Sequence, residues 1–261
     1  MWSNIINYIK GITLLIVFTF SFFSCNSDDG LLTGVNRKLT EVDKYSNNSY
    51  VPPYDDPKFH PVLDDSKLQA PDSRTACAQG NFDGFADWYF YLYQGNNNYM
   101  TFTMNGDHNR SELRQMIEWK TSTTSWKKMI GEVKLFFPST NSLNQYTFMQ
   151  IHDSDGINKP LIRLAWVRQR SGKYDHIWAY LRKDTGSTID VIDLGPRPDG
   201  FFKAEIKVKS NILKVKINSV TMINENVSYW SNFHNYFKAG VYLQDDGSAK
   251  VQFKSLKYYY E

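Results

Sequence analysis

Three short segments of the sequence carry side chains that could do chemistry together. Residues two apart in a β-strand point to the same face of a sheet. Most positions between the polar residues of these segments are apolar, as at Leu113, Ile151 and Val241. The polar residues that would share a face are Arg110, Glu112 and Arg114 in the first segment, Gln150 and His152 in the second, and Lys238, Tyr242 and Gln244 in the third.

These polar faces combine cationic, amide, imidazole and phenol groups. An outward strand face in water usually carries Thr, Ser, Lys and Glu, so a face of Arg, Gln, His and Tyr favours a functional cleft. Such groups can hold an anion and move a proton, which suits an anionic substrate that reacts by proton transfer. An ordinary solvated face stays open as the alternative, above all for Lys238 and Gln244.

Strands of this kind are predicted along most of the chain. From about residue 80 onward, aromatic and β-branched runs alternate with turn signals such as Asp-Asp-Gly at 245–247. No long run has helical periodicity. This pattern predicts an all-β, two-sheet antiparallel sandwich of the jelly-roll kind with a concave cleft. The predicted strands cover residues 88–93, 99–104, 131–137, 146–152, 161–168, 176–182, 201–208, 212–217, 237–244 and 250–260.

Composition excludes several classes of protein. The chain has 261 residues, 41% of them hydrophobic, which is enough to bury one core and excludes a disordered chain or a coiled coil. The net charge is only +3, with basic and acidic residues interleaved, so no nucleic-acid partner is predicted. Two cysteines cannot build a disulfide scaffold, and Cys77 is expected to be a small buried residue.

The three polar segments also resemble the signature motifs of a known family. Arg-Ser-Glu-Leu-Arg at 110–114, Gln-Ile-His at 150–152 and Tyr-Phe-Lys-Ala-Gly-Val-Tyr-Leu-Gln at 236–244 are similar to those of alginate lyases of polysaccharide lyase family seven. They stand in the family's order, and the resemblance covers roughly residues 82–260. It implies a jelly roll whose concave sheet binds an anionic polysaccharide, with no cofactor.

Two departures from the family pattern leave the substrate open. Leu243 stands where the family usually has Asn, and Gln115 stands where an acidic residue often follows. Alginate is the expected polymer, and related jelly-roll lyases act on ulvan or glucuronan.

The resemblance implies a β-elimination and assigns roles to four residues. Such lyases remove the C5 proton of a uronate and expel the 4-oxygen, which leaves an unsaturated uronate end. Arg110 and Gln150 are expected to neutralise the carboxylate, since preorganised donors stabilise the charge that develops. His152 is expected to help in this or to act as the base. Tyr242 is the expected general acid, and a phenol needs cationic neighbours if it is also to act as a base at neutral pH.

Four further residues are predicted to bind the substrate. Arg114, Lys238 and Gln244 are expected to contact sugar carboxylates and hydroxyls, because arginine in particular pairs bidentately with carboxylates. Glu112 is grouped with them, and we expect it to hold Arg110 or Arg114 in place rather than to act as a base.

Other classes of function find less support in the sequence. A non-catalytic carbohydrate-binding jelly roll would not need His and Tyr together with Arg and Gln. A glycoside hydrolase needs two carboxylates that flank the bond, and no strand has closely alternating acidic residues. No metal is predicted, because the turn at 153–158 lacks the closing Glu of a calcium loop and ligand spacing is absent among His60, His108, His176 and His234.

The N-terminus predicts export and a lipid anchor. An apolar run at 12–23 follows Lys10 and fits a signal-peptide core better than a membrane span. It ends in Ser24 and Cys25, which resembles a bacterial lipobox, although Phe22 stands where Leu is usual. The resemblance implies that residues 1–24 are removed and that Cys25 carries the lipid. The acidic residues at 28–29 resemble the export signal of Bacteroidetes surface lipoproteins, which implies an outer-membrane, cell-surface location.

The remaining division of the chain follows from composition. Residues 25–75 are rich in Asp, Asn, Ser and Pro, and the prolines at 52, 53 and 57 exclude a helix or a central strand there. We therefore predict a mostly irregular tether over 25–75, with its end packed on the domain, and a folded domain over 76–261. The protein is expected to be a monomer that is attached to the membrane only through its lipid anchor.

Overall fold

The computed structural model describes residues 50–261, which fold into two antiparallel sheets with one short helix, α1 (His60–Asp64). Short 3₁₀ helices lie at Pro53–Asp55, Pro57–Phe59 and Ser228–Trp230. The strands of these residues are, in chain order, β1 (Ser66–Gln69), β2 (Thr75–Cys77), β3 (Phe90–Tyr93), β4 (Tyr99–Asn105), β5 (Arg110–Gln115), β6 (Trp119–Lys120), β7 (Lys127–Leu135), β8 (Gln145–Asp153), β9 (Pro160–Arg170), β10 (Lys173–Arg182), β11 (Ile189–Pro196), β12 (Phe202–Lys209), β13 (Ile212–Ile217), β14 (Val220–Asn226), β15 (His234–Leu243) and β16 (Ser248–Tyr260).

The two sheets differ in size and share no strand. The nine-stranded sheet has the order β11-β10-β9-β8-β15-β5-β1-β2, and β6 pairs with the start of β15. The seven-stranded sheet has the order β14-β13-β12-β7-β16-β4-β3. Neighbouring strands in both sheets are antiparallel. The predicted two-sheet antiparallel sandwich is confirmed.

The core lies between the sheets and uses the apolar positions that strand parity identified. Leu113, Ile151 and Val241 from the nine-stranded sheet are fully buried in one cluster with Phe102 and Phe253 from the seven-stranded sheet. Burying a side chain of this size contributes roughly 1.5–3 kcal/mol relative to leaving it in water. This packing fixes one face of each strand inward, so the polar residues of the same strands face away from the core.

The central strand of the nine-stranded sheet is irregular next to Tyr242. The register between β15 and β8 shifts between Ala239 and Tyr242, and Gly240 has a φ of +147°. A Cβ atom at Gly240 would lie 2.2 Å from the carbonyl oxygen of Ser111. Only glycine therefore permits β15 to approach β5 this closely.

The folded domain begins earlier than the sequence predicts. Within the predicted tether, β1 pairs with β5 from Ser66 opposite Gln115 to Gln69 opposite Glu112. Phe59 and Leu63 are also buried in the core. Prolines stop long elements but suit the first turn of a short helix, and the apolar residues between them cover the core. Residues 50–75 therefore belong to the folded domain, which agrees with the expected packing of the end of the tether but shows that the boundary at 76 is too late.

Some predictions concern residues outside the described range. The predicted signal peptide at 1–24, the lipidation site Cys25 and the tether up to residue 49 lie outside residues 50–261. Within that range, none of the helices has the length and apolarity that crossing a bilayer requires. Cys77 is buried as predicted, and burial raises the pKa of its thiol to about 11.

Candidate active site

A row of polar residues crosses five adjacent strands of the nine-stranded sheet. Neighbouring strands lie about 4.8 Å apart, so residues in register on adjacent strands are close neighbours. The row is defined by the strand registers and consists of Arg114 on β5, Lys238 on β15, Gln150 on β8, Arg163 on β9 and Tyr180 on β10.

A cavity of about 350 Å³ lies against three residues of this row, Gln150, Arg163 and Tyr180. It gathers the four residues predicted to be catalytic, Arg110, Gln150, His152 and Tyr242, and also Gln244. The other residues that line it are Ser73, Asn158, Pro160, Arg163, Tyr180, Arg182 and Ile189. Among the described residues no Asp or Glu lines the cavity, whereas three arginines do. The cavity is therefore suited to an anionic ligand.

A buried carboxylate connects three of the predicted site residues. The Lys238 Nζ donates to Oε2 of Glu112 at 2.5 Å, and the Gln150 Nε2 donates to Oε1 at 2.7 Å. The Nη1 of Arg110 lies 3.5 Å from the same Oε2. The carboxylate of Glu112 therefore fixes the positions of all three, in agreement with the expectation that it holds Arg110 in place.

Glu112 and Lys238 are too deeply buried to touch a polymer. Their exposed fractions are 0% and 1%, and neither lines the cavity. The predicted substrate contact is therefore wrong for both residues. The physical reason is their position on the adjacent strands β5 and β15, where they pair with each other and Glu112 also accepts a hydrogen bond from Gln150 of β8. They act instead as supports behind the cavity wall.

Burial and charge oppose each other within this pair. Burial disfavours the Glu112 carboxylate, but the charges of Lys238 and Arg110 outweigh it and hold the pKa of Glu112 below its ordinary value. Burial lowers the pKa of Lys238 to about 8, even though Glu112 favours its charged form. At neutral pH both groups are therefore charged, and the pair is an ion pair removed from water.

His152 is arranged as a neutral imidazole. Its Nδ1 lies 2.9 Å from the carbonyl oxygen of Asp153, which can only accept a hydrogen bond, so Nδ1 carries the proton and Nε2 has a free lone pair. Burial lowers the pKa of His152, and the nearby charge of Lys238 adds to this effect. The ring also stacks on Tyr236, with centroids 5.6 Å apart. This geometry suits proton acceptance at Nε2.

Arg110 and Tyr242 form a stacked pair at the cavity. The Arg110 Cζ lies 4.1 Å from the centroid of the Tyr242 ring, and the two residues are in register on β5 and β15. The Arg110 Nε is buried and has no hydrogen-bond partner within the part of the chain that the structure describes. The stacking fixes the orientation of the guanidinium and of the phenol relative to each other.

The two remaining predicted binding residues lie in different places. Gln244 lines the cavity and accepts a hydrogen bond from Nη1 of Arg163 at 2.5 Å. Arg114 does not line the cavity; it pairs with Glu118 and stacks on Tyr236, with its Cζ 3.9 Å from the ring centroid. Contact between Arg114 and a substrate that extends beyond the cavity stays a prediction.

Comparison with known proteins places the chain in a family. The family model described as "Alginate lyase" matches residues 62–260. The chain belongs to the alginate lyase family. This result confirms the resemblance inferred from the three motifs, and the chain is a polysaccharide lyase.

The similarity of this alginate lyase family member to individual relatives extends over most of its length. It is 28% identical over 243 residues to "Alginate lyase" from Photobacterium sp. (strain ATCC 43367), covering 77% of this chain and 85% of the relative. The solved structure of alginate lyase AlyC3 is 24% identical, with a TM-score of 0.75 and coverage of 82% of this chain and 97% of that one. Alginate lyase A1-II', described as a member of polysaccharide lyase family-7, is 25% identical, with a TM-score of 0.62 and coverage of 78% and 98%. The predicted jelly-roll fold is confirmed.

Seven residues that line the cavity of this lyase lie outside the three motifs and were not predicted. Three of them are Arg163, Tyr180 and Arg182. Strand parity could have found them, because Tyr180 and Arg182 alternate with the core residues Ala179 and Leu181. Two others, at positions 73 and 158, come from loops, where no periodic signal exists, and the last two, at positions 160 and 189, are the first residues of β9 and β11.

No metal site is apparent within residues 50–261, where no group of three or more His, Cys, Asp or Glu side chains could hold an ion. The turn that faintly resembles a calcium loop is closed by protein donors. The Asp153 carboxylate accepts hydrogen bonds from the backbone N–H groups of Ile157, Asn158 and Lys159 at 3.0, 3.3 and 2.7 Å.

Proposed function

We propose that this lyase cleaves alginate by β-elimination in the cavity on the nine-stranded sheet. The observation that carries the proposal is that Arg110, Gln150, His152 and Tyr242 surround one cavity without any acidic lining residue among those described. Membership of the alginate lyase family supports alginate as the polymer. Ulvan and glucuronan are the alternative substrates.

Arg110 and Gln150 would neutralise the carboxylate of the uronate that reacts. The C5 proton becomes more acidic when that carboxylate is neutralised, because the negative charge of the enolate-like intermediate then has fixed donors. One N–H of Gln150 is bonded to Glu112, so the second N–H is the one available to the substrate. The ion pair of Glu112 with Lys238 would keep Gln150 in this orientation.

Proton transfer would involve His152 and Tyr242. The Nε2 of His152 accepts the C5 proton, and the electrons of the broken C5–H bond form the C4=C5 double bond. The C4–O bond breaks as the Tyr242 hydroxyl donates its proton to the leaving oxygen. His152 then loses a proton to water and Tyr242 regains one, which restores both groups. The protonated Nδ1 and lowered pKa of His152 support its role as base.

A substrate panel tests the proposal. The purified full-length chain is incubated with alginate, ulvan and glucuronan, and the unsaturated product is followed by its ultraviolet absorbance. A signal with alginate is expected. A signal with only one of the other polymers would support the lyase activity and identify that polymer as the substrate in place of alginate. Binding of alginate without any signal would instead favour a carbohydrate-binding module.

Two variants and a control test the assigned roles. Tyr242→Phe should lower kcat by about 100-fold or more, since positioned acid–base groups contribute about 10²–10⁴-fold. His152→Ala should lower kcat within the same range. Tyr259→Phe, on β16 of the other sheet, removes the same hydroxyl away from the cavity and should leave kcat unchanged. Full activity of Tyr242→Phe would contradict its role as the acid.

We also propose that the mature protein is a monomeric lipoprotein of the outer membrane, exposed at the cell surface. The apolar run at 12–23, Cys25 and the acidic residues at 28–29 support this proposal. Labelling of cells with a tagged fatty acid should mark the wild type and not Cys25→Ala. Protease added to intact cells should degrade a surface protein and spare a periplasmic one. Sedimentation of the detergent-solubilised protein would test the monomer.

A further inference from the structure

Arg163 is a cavity residue that the proposed reaction does not use. It lies on β9, in register with Gln150 on one side and Tyr180 on the other. Its Nη1 donates to Thr147 Oγ1 at 3.2 Å and to Gln244 Oε1 at 2.5 Å, and both acceptors are neutral. Its Cζ lies 4.8 Å from the Tyr180 ring centroid.

This arginine has no carboxylate partner, unlike others in the protein. Arg110 lies 3.5 Å from Glu112, and Arg197 lies 2.8 Å from Asp175. Across residues 50–261, Arg163 forms no ion pair, and no acidic residue lines the cavity that it faces. The free protein therefore holds a cation without a paired carboxylate at this position.

Arg163 is half-buried, and shielding a cation from water costs free energy unless an anion compensates it. Burial indeed lowers the pKa of Arg163 from its ordinary value. Its Nε and Nη2 make no hydrogen bond to any described residue, so one edge of the guanidinium stays available. A guanidinium edge with two donors matches a carboxylate in a bidentate pair.

We propose that Arg163 binds a second uronate carboxylate of the polymer, next to the carboxylate held by Arg110 and Gln150. The inference rests on the proposed function for the identity of the polymer. Gln244 and Thr147 would orient the guanidinium, and the Tyr180 ring would support its face. Arg182 is less suited to this task, because its guanidinium already donates to the backbone carbonyls of Pro160 and Gly186.

The experiment measures binding separately from turnover. A saturated alginate tetrasaccharide is titrated into Tyr242→Phe, in which bond cleavage is suppressed, and into the same protein with Arg163→Gln or Arg163→Lys. Arg163→Gln should raise Kd about 10-fold or more, because a charge-assisted bidentate contact is lost. The Kd of Arg163→Lys should lie between those of the parent and of Arg163→Gln, since an ammonium keeps the charge but cannot form the bidentate pair.

A matched control lies on the same strand and the opposite face. Arg168 donates to the carbonyl oxygens of Leu143 and Thr140, so it supports a loop rather than the cavity. Arg168→Gln should lower Tm and leave Kd unchanged. Arg163→Gln should leave Tm unchanged or raise it, because it removes a cation that lacks a paired carboxylate in the free protein.

Two results would overturn this inference. One is a Kd of Arg163→Gln within about twofold of the parent, which would show that the guanidinium does not contact the ligand. The other combines two observations: Arg163→Gln loses as much Tm as Arg168→Gln, and Arg163→Lys keeps the Kd of the parent. That combination would make Arg163 a structural residue. Neither result depends on turnover, so failure of the lyase assay remains a separate outcome.

Discussion

The outward faces of the two sheets both carry Lys–Glu pairs, and the pairs differ in their access to water. On the seven-stranded sheet, Lys254 lies 2.8 Å from Glu132, with side chains 42% and 39% exposed. On the nine-stranded sheet, Lys238 lies 2.5 Å from Glu112, with side chains 2% and 0% exposed. The residue types are the same in both pairs, but only the pair on the nine-stranded sheet is removed from water.

This difference separates a solvated face from a site. An exposed ion pair contributes about 0–1 kcal/mol and is free to rearrange. A buried pair is costly to form, and removal of one partner leaves an uncompensated charge. Glu112 of the buried pair also accepts a hydrogen bond from Gln150, so the pair restrains a side chain that lines the cavity. Burial, rather than polarity alone, distinguishes the two faces.

Removing the carboxylate from each pair should give the largest contrast. Glu112→Ala should lower the free energy of unfolding by about 3–5 kcal/mol, because it leaves the Lys238 ammonium buried without a partner. Glu132→Ala should cost no more than about 1 kcal/mol. Urea unfolding of both variants measures the difference. Equal costs would show that the buried pair is not special.

Strand glycines offer a second contrast between the sheets. Gly240→Ala should cost about 3 kcal/mol, because its Cβ would meet the Ser111 carbonyl at 2.2 Å and its φ is +147°. Gly131→Ala on β7 should cost about 1–2 kcal/mol, since its Cβ would meet the Phe253 ring at 2.9 Å and a side chain can shift. The Tm of each variant, measured by thermal unfolding, ranks the two costs. A larger loss for Gly131→Ala would refute this account of β15.

Replacing the whole buried pair should separate stability from activity. The double variant Glu112→Leu with Lys238→Met should lie within about 1–2 kcal/mol of the wild type, since apolar residues often replace a buried ion pair without loss. Its kcat should still fall about 10-fold, because Gln150 and Arg110 lose the carboxylate that positions them. Urea unfolding measures the effect on stability, and the lyase assay measures the effect on kcat. Unchanged kcat would remove Glu112 from the positioning network.

The smallest expected effect is a pH dependence that separates a buried histidine from an exposed one. The folded-state pKa of His152 lies below its unfolded value. The unfolded chain therefore binds more protons, and this group costs stability as the pH falls below about 6.5. His152→Asn should lose less Tm than the wild type between about pH 7.5 and about pH 5.5. His108→Asn, on an exposed turn, is the matched control substitution. A Tm loss of His152→Asn equal to that of the wild type would contradict the burial argument.

Strand parity and three motifs could predict most of the fold and the centre of the site. Alternating apolar residues identified the inward faces, and Arg110, Gln150, His152 and Tyr242 came to line one cavity. The extent of burial was not predictable, because parity places Lys238 and Gln244 on the same face while only Gln244 lines the cavity. The early start of the domain was hidden by prolines that end regular elements locally.

The sequence by itself determined which residues face the core, which chemical groups lie on the polar faces and which family the motifs resemble. These properties depend on local spacing along a strand. Only the tertiary structure decided that Glu112 and Lys238 support the cavity from behind, that Arg163 on β9 faces it, and that β1 belongs to the nine-stranded sheet. These depend on neighbours from distant parts of the chain, because burial and charge compensation are set across strands and not along them.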